Sequence, residues 1–334
     1  MTRKPMHAIP AARQGRPMRP ERQGRPRLLA DLLAELAARL TRRDRWLLHM
    51  VFEHRVLTTT QITQLAFGAL STGAHRMQHL WWLRAVDRVQ PFTATGSAPM
   101  HYVLGDGGAA VLAAEHGITA AELGYRRDRA LAIFHSAKLA HTVGINGIFT
   151  ALVAHARANR GSALEEWWPE HRCAAVWGDL IRPDGYGRWR DRGAEADFFL
   201  EYDTGSETTG RVAAKLPGYA DLADATGITT PVLFWFPAPG REAGVRAAFG
   251  DTPVPVATAA ARHGELDPAG PIWLPLGQRG PRLHLADLGR LYRDDTALSE
   301  TVPPPHPGQA SPPASGPTLS VPPMPPQTND EFLG

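Results

Sequence analysis

The sequence predicts an α/β protein with two folded units set between two unstructured ends. Three observations predict this. Residues 28–119 carry helix-spaced apolar stripes that give way to an alternating hairpin pattern. Residues 120–298 mix a long helical stripe with compact strand-like runs. Both ends are rich in proline and lack periodicity.

The chain has 334 residues, enough for two domains of ordinary size and too many for one small core. Hydrophobic residues make up 43% and charged residues 21%, a globular balance. No run of about 18 or more uncharged apolar residues appears, so no membrane span is expected. The N-terminus is basic but no apolar stretch follows it, which does not suit a secretory signal. Cys173 is the one cysteine. It excludes a disulfide framework and a cysteine-built zinc site, and it points to a reducing cytoplasm. No Cys-His motif surrounds it, so a structural thiol is expected rather than a nucleophile.

Residues 1–27 crowd Arg3, Lys4, Arg13, Arg16, Arg19, Arg22, Arg25 and Arg27 together, with Glu21 the only acid. Such an arm fits polyanion binding or a plain solvated tail equally well. Residues 299–334 include Pro303-Pro304-Pro305 and Pro322-Pro323, a polyproline-type tail that cannot form a core.

Within 28–119, Leu28 to Leu40 reads as a short amphipathic helix. Thr41 caps the next, with Trp46, Leu47, Met50 and Val51 at helical spacing. Thr58-Thr59-Thr60 caps a third helix carrying Ile62, Leu65 and Phe67, ended by Gly68. Ser71 opens a fourth that runs through Leu83, with Ala74, Met77, Leu80 and Trp81 inward. Val86 to Phe92 and His101 to Leu104 read as two strands joined by a turn, and Gly107 to Glu115 is helical again. This is the order of a winged helix-turn-helix.

In such a unit the second helix of the pair enters the major groove. Its free face carries His75, Arg76, Gln78, His79 and Arg84. Arg and Gln suit base edges because they make paired hydrogen bonds to guanine and adenine. Thr59, Thr60 and Gln61 open the preceding helix, where backbone N–H groups can hold a phosphate. Arg88 would lie beside the sugar-phosphate backbone. The partner this face predicts is double-stranded DNA, with docking to a protein as the alternative.

Within 120–298, Asp128 to Arg157 reads as one long helix with Phe134, Ala137, Ile145, Ile148, Phe149 and Leu152 on its stripe. Strands are expected at Leu164–Trp168, Ala174–Pro183 and Ala196–Tyr202, then a helix at Arg211–Ala223 and a buried strand at Pro231–Phe236. Helix, three strands, helix, strand is the order of a restriction-endonuclease-like core. Trp167 and Trp168 are expected in that core.

The chemistry concentrates between Arg182 and Lys215. Glu201 and Asp203 are two apart on a strand and so share a face. If the end of the Asp184 strand pairs beside them, three carboxylates converge and could bind Mg²⁺, which prefers oxygen ligands. The metal would then activate water for phosphodiester cleavage. Lys4, Lys138 and Lys215 are the only lysines. Lys215 follows the acidic strand, and a compact ammonium there can stabilise charge on a phosphate or orient water. The alternative is plain ion pairing of Glu201 and Asp203 with Arg182, Arg188 or Arg211, with Asp184-Gly185 as a turn. His141 falls on the apolar stripe as a core histidine, and Asn146 could brace the acidic strand. No Walker loop, His-Glu-x-x-His pair or nucleophile elbow is present.

From Thr41 to Tyr219 the chain resembles the replication-relaxation family of plasmid and actinobacterial mobile-element proteins. The resemblance rests on Leu57-Thr-Thr-Thr-Gln-Ile, Trp81-Trp-Leu-Arg-Ala-Val-Asp-Arg, His141-Thr-Val-Gly-Ile-Asn146, Arg182-Pro-Asp184, Phe198-Phe-Leu-Glu-Tyr-Asp203 and Ala213-Ala-Lys215-Leu. It implies a role in plasmid replication and in relaxing supercoiled plasmid DNA, beside replication proteins. Against the wider PD-(D/E)xK nuclease pattern, Asp184 and Glu201 match the two acidic positions. The lysine position two residues after Glu201 is Asp203 instead, so Lys215 would have to substitute. The expected function is a DNA-binding accessory protein with a nuclease-like second domain. The alternatives are an active Mg²⁺-dependent endonuclease or nickase, and a non-enzymatic transcriptional or docking protein.

Overall fold

The computed structural model describes residues 33, 36, 38–93, 96–262, 264–297 and 321–326. The basic arm expected at 1–27 and the greater part of the 299–334 tail lie outside them.

Helix α1 (Arg42–Glu53) begins at Thr41, whose hydroxyl accepts from the Asp44 N–H while the Asp44 carboxylate accepts from the Thr41 N–H. Thr58 and Gln61 build the same reciprocal cap between β1 (Leu57–Thr58) and α2 (Thr59–Ala66). Each box satisfies two orphan donors of its first turn. Helix α3 (Leu70–Trp82) turns Gly73, Met77 and Leu80 inward. β2 (Val86–Val89) and β3 (His101–Leu104) pair antiparallel, and β1 adds to the far side of β3. The expected two-stranded hairpin is therefore part of a three-stranded sheet. Helix α4 (Asp106–Glu115) follows.

The single helix expected from Asp128 to Arg157 is broken. Helix α5 (Arg127–Ala132) tightens into a 3-10 turn at Ile133–His135, and α6 (Leu139–Ala158) starts afresh. Ser136 is extended there, and its hydroxyl accepts from the Lys138 N–H instead of letting the ladder continue.

The second sheet runs β4-β5-β6-β7-β8-β9. Its strands are β4 (Ala163–Pro169), β5 (Gly185–Asp191), β6 (Ala194–Tyr202), β7 (Val232–Phe236), β8 (Val256–Ala260) and β9 (Leu274–Pro275). β5 is antiparallel to both its neighbours β4 and β6, β7 and β8 run parallel to β6, and β9 is antiparallel again. The strand expected at Ala174–Pro183 is instead α7 (Glu170–Trp177) and a turn; the middle strand is β5. Between β6 and β7 lie α8 (Thr209–Ala213) and α9 (Leu216–Thr226), where one helix was expected. Helix α10 (Pro239–Ala248) follows β7, and α11 (Leu285–Ala297) closes the order.

Two apolar cores flank this sheet. One holds Phe149, Trp167, Trp189, Phe198 and Leu200 beneath α6, and it continues into the first unit through Leu47, Ile62 and Met77. The other holds Phe199, Tyr219, Phe234 and Val245 beneath α9 and α10. By length and composition α6 could cross a membrane, but 56% of that window is buried, and α2 and β4 pack on it.

Side chains also lock the first unit to α6. Asn146 donates to the carbonyls of His54 (3.1 Å) and Val56 (2.7 Å), so it braces the turn after α1 and not the acidic strand. Gln61 donates to the Val143 carbonyl at 2.7 Å, and Thr150 donates to Gln64 at 2.7 Å. The His54 ring stacks on Trp167 at 3.5 Å.

One part of the tail departs from the expectation of an unstructured end. Val321 and Met324 pack on the first core, Pro323 is buried, and Trp46 Nε1 donates to the Pro322 carbonyl at 2.8 Å.

Candidate functional site

The register of β5 and β6 places the acids. Gly185 pairs with Leu200, so the next step along the antiparallel strands sets Asp184 beside Glu201. Asp184 Oδ2 accepts from the Tyr202 N–H at 2.9 Å and meets His141 Nε2 at 3.1 Å. Gly144 lets α6 come this close: a Cβ there would stand 2.4 Å from the Tyr202 ring. His141, expected as a core histidine, is thus half-buried against the first acid of the site.

Glu201 is enclosed on the face of β6 that α9 covers. Tyr219 Oη donates to Oε1 and Lys215 Nζ donates to Oε2, each at 2.5 Å. Lys215 sits at the head of α9, and α9 also carries Tyr219, so one helix delivers both donors. The Glu201 side chain is 2% exposed and that of Lys215 is 32% exposed, so the lysine is the more solvent-accessible partner of the pair.

These contacts set the charges. Burial pushes the Glu201 carboxyl up, the neighbouring Asp184 charge adds to this, and Lys215 and Tyr219 only partly oppose it; it reaches about 7. Burial also works against the charged form of Asp184. The His141 contact, the Lys215 charge and the Tyr202 N–H outweigh that, and Asp184 is held below the usual carboxylate range. His141 lies above its ordinary value because Asp184 overrides its burial. Lys215 is likewise raised by Glu201 and Asp184 against its own burial. Burial raises the Cys173 thiol well above its usual value, the state of an inert structural cysteine.

Asp203 does not join this group. Arg241 of α10 donates to both its oxygens, at 2.6 and 3.3 Å, and to the Glu207 carbonyl at 2.6 Å. The three-carboxylate cluster is replaced by two facing acids and a separate ion pair. Among the described residues, no group of three or more His, Cys, Asp or Glu is arranged to hold a metal ion. The expected arginine partners lie elsewhere: Arg188 pairs with Asp197, Arg211 with Glu207, and Arg182 donates to the Gly178 carbonyl. Tyr219 and Arg241 were not among the residues singled out from sequence. Lys215-Leu-Pro-Gly-Tyr219 places the tyrosine one helical turn beyond the lysine, a spacing that could have flagged it.

On the first unit, His75 and Gln78 are exposed on α3, and Thr60 is exposed on α2. Arg76 is not free. It donates through Nε (2.8 Å) and Nη2 to the fully buried Asp44, to the Arg39 carbonyl, and toward His79 Nδ1 at 3.2 Å. Thr59 and Gln61 are buried, and Gln61 is used up by the cap and by Val143. Arg84 takes a left-handed backbone at φ 60° after α3, with its guanidinium 3.5 Å from Asp106. Arg88 lies 4.1 Å over the Trp81 ring. The outward face of α3 is therefore polar but carries little unpaired cation.

A family model described as replication-relaxation matches residues 48–237, more than half of the chain. The chain belongs to the replication-relaxation family. At the family level this gives it a role in replication and relaxation. Searches of curated proteins and of solved structures returned no match. The replication-relaxation match includes α2, α3, His141, Asp184, Glu201, Asp203, Lys215 and Tyr219. Arg241 lies just beyond it, so the residue that captures Asp203 comes from outside the region that defines the replication-relaxation match.

Proposed function

We propose that this replication-relaxation protein is a DNA-binding accessory factor for plasmid or mobile-element replication, with a second unit that nicks one strand of supercoiled DNA. The observation that carries this reading is Asp184 beside Glu201 with the Lys215 ammonium 2.5 Å from Glu201. Relaxing a closed circle by hydrolysis requires breaking one phosphodiester bond. An acid pair with an ammonium, buried and with displaced pKa values, is the chemistry such a step needs.

Helix, strand, helix, helix and hairpin is the order of a winged helix, and it supports assigning residues 28–119 to DNA. His75 and Gln78 are the exposed polar groups on the helix that would face bases, with Thr60 at the head of the preceding helix. The order α6, β4, β5, β6, α9, β7, with α7 inserted after β4 and α8 before α9, supports a PD-(D/E)xK-type second unit spanning 120–298.

Two facing carboxylates fit Mg²⁺, which binds one or two such groups and keeps several waters. Bound there, it would supply Lewis-acid polarisation of a phosphate oxygen and activation of water. The rest is done by the chain. His141 and the Tyr202 N–H together fix one oxygen of Asp184. Lys215, the more accessible partner of Glu201, meets the phosphate and offsets the charge that builds on it. Glu201, with its carboxyl near 7, can hold or release a proton at neutral pH. Supercoiled plasmid incubated with the protein and Mg²⁺ should become open circles, and Asp184→Asn should stop this. Intact supercoils across a metal titration would refute the nicking step.

A second reading is binding without cleavage. It is favoured by the capture of Asp203 by Arg241 and by the occupation of both Glu201 oxygens. It predicts DNA affinity unchanged by Asp184→Asn and no open circles from any variant.

A further inference from the structure

The last described segment, residues 321–326, is seated on the first unit although no helix or strand holds it there. Val321-Pro-Pro-Met-Pro-Pro326 has four prolines in six positions. Proline fixes φ and biases the residue before it to extended backbone, so such a strand loses little conformational entropy when it docks. The contacts are of the kind that read proline-rich strands. The indole N–H of Trp46 donates to the Pro322 carbonyl at 2.8 Å. A proline carbonyl lacks a neighbouring N–H competitor and is a good acceptor for an aromatic donor. Pro323 is buried, while Val321 and Met324 pack on the core that Trp46, Leu47 and Met50 belong to.

We infer that the Trp46 face of the first unit is a recognition site for a proline-rich strand, filled in cis by residues 321–326. Residues 298–320 join the segment to α11 and can span up to about 80 Å if extended, so the chain reaches its own seat easily. A tether of this length presents the segment at an effective concentration of about a millimolar. A site whose intrinsic dissociation constant is about 0.1 mM is then about nine-tenths closed, yet exchangeable with a proline-rich strand of the same pattern on another protein.

The test uses the full chain with ¹⁵N-labelled tryptophan, reading the indole N–H resonance assigned by Trp46→Phe. In Val321→Asp/Met324→Asp that resonance should move, with the melting temperature otherwise close to wild type. Adding a synthetic peptide of sequence 319–327 should return it to the wild-type position, half-saturating at or below about 0.1 mM. The same peptide with Asp at the Val321 and Met324 positions should do nothing. The wild-type chain, its seat already filled, should respond at least tenfold more weakly to the peptide. An unmoved resonance in the double variant, or a moved resonance that the peptide cannot restore, overturns the proposal. So does a wild-type resonance that changes with protein concentration as dimers form, since the seat is then filled by a second copy and not in cis.

Discussion

Lys215 Nζ donates to Glu201 Oε2 across 2.5 Å, and the same carboxylate accepts from Tyr219 Oη through its other oxygen. A helix that starts after the strand has ended thus supplies the cation that the nuclease pattern places on the strand itself. Lys215→Met leaves a carboxylate that is 2% exposed without its counter-charge. The expected loss is about 2–3 kcal/mol, toward the low end for a broken buried pair because the lysine is partly solvated. Lys215→Arg should recover more than half of that stability but not the nicking, because a planar guanidinium does not replace a compact ammonium. Urea unfolding and plasmid nicking of the two variants check this. Equal nicking by Lys215→Arg would remove the lysine from the chemistry.

Glu53 gives a pH dependence of its own. It is 8% exposed, and its Oε1 has no hydrogen-bond partner among the described residues. Burial pushes its carboxyl up to about 7, with Arg172 opposing. A carboxyl raised above its unfolded value stabilises fully below pH 4.5 and loses that contribution as pH climbs through about 7. Glu53→Gln should therefore gain about 3 kcal/mol relative to wild type between pH 5 and pH 8. His54 and His171 are lowered, chiefly by burial, and act the other way, losing stability as pH falls below 6.5. Both are present in the two chains, so the difference between the chains isolates Glu53. Parallel stability-against-pH curves would refute the assignment.

Arg76 is a structural residue on the polar side of α3. Its guanidinium neutralises Asp44, which has no exposed surface and also caps α1. Arg76→Ala should cost about 3 kcal/mol. His75→Ala and Gln78→Ala should stay within about 0.5 kcal/mol of wild type. Gln78→Ala should weaken duplex binding about tenfold, the scale of one lost base contact. Fluorescence anisotropy with a labelled duplex reads the affinity. If only Arg76→Ala weakens binding, and in proportion to unfolding, α3 does not face DNA.

Asp203 and Arg241 tie the loop after β6 to α10. A double-mutant cycle with Asp203→Asn and Arg241→Met should give a coupling of about 2 kcal/mol in unfolding. Neither variant should abolish nicking at saturating Mg²⁺ when it is folded. Additive effects would mean that the pair is not coupled. Loss of nicking in folded Asp203→Asn would return Asp203 to the site.

The local signals were the legible ones. Thr41 with Asp44 and Thr58 with Gln61 spell their capping boxes in four residues each, and both helices start there. Ala196 to Tyr202 carries a compact aromatic run that places most of β6, and Asp184 with Glu201 could be matched by pattern. What failed depended on distant partners. β5 reads Gly-Tyr-Gly-Arg-Trp-Arg-Asp, poor in strand signals, because its glycines make room for other rings. A Cβ on Gly187 would lie 2.4 Å from Phe198 and 2.8 Å from Phe149. β8 is Val-Ala-Thr-Ala-Ala, too small-chained to stand out, yet it is sheltered between β7 and β9. The apolar run Ala174-Ala-Val-Trp177 made the end of α7 look like the start of a strand, since a short apolar run has no readable period. The capture of Asp203 by Arg241 spans 38 residues, and the docking of Pro322 on Trp46 spans 276. Neither separation leaves a trace in local spacing.

In the proposed function Asp184, Glu201 and Lys215 act together on the DNA backbone. The most direct measurement is the conversion of supercoiled plasmid to open circles in Mg²⁺ by wild type, Asp184→Asn and Lys215→Met, with duplex affinity measured on the same preparations. Open circles from wild type alone, at equal affinity for all three, is the predicted result. Open circles from all three proteins, or from none, would contradict it.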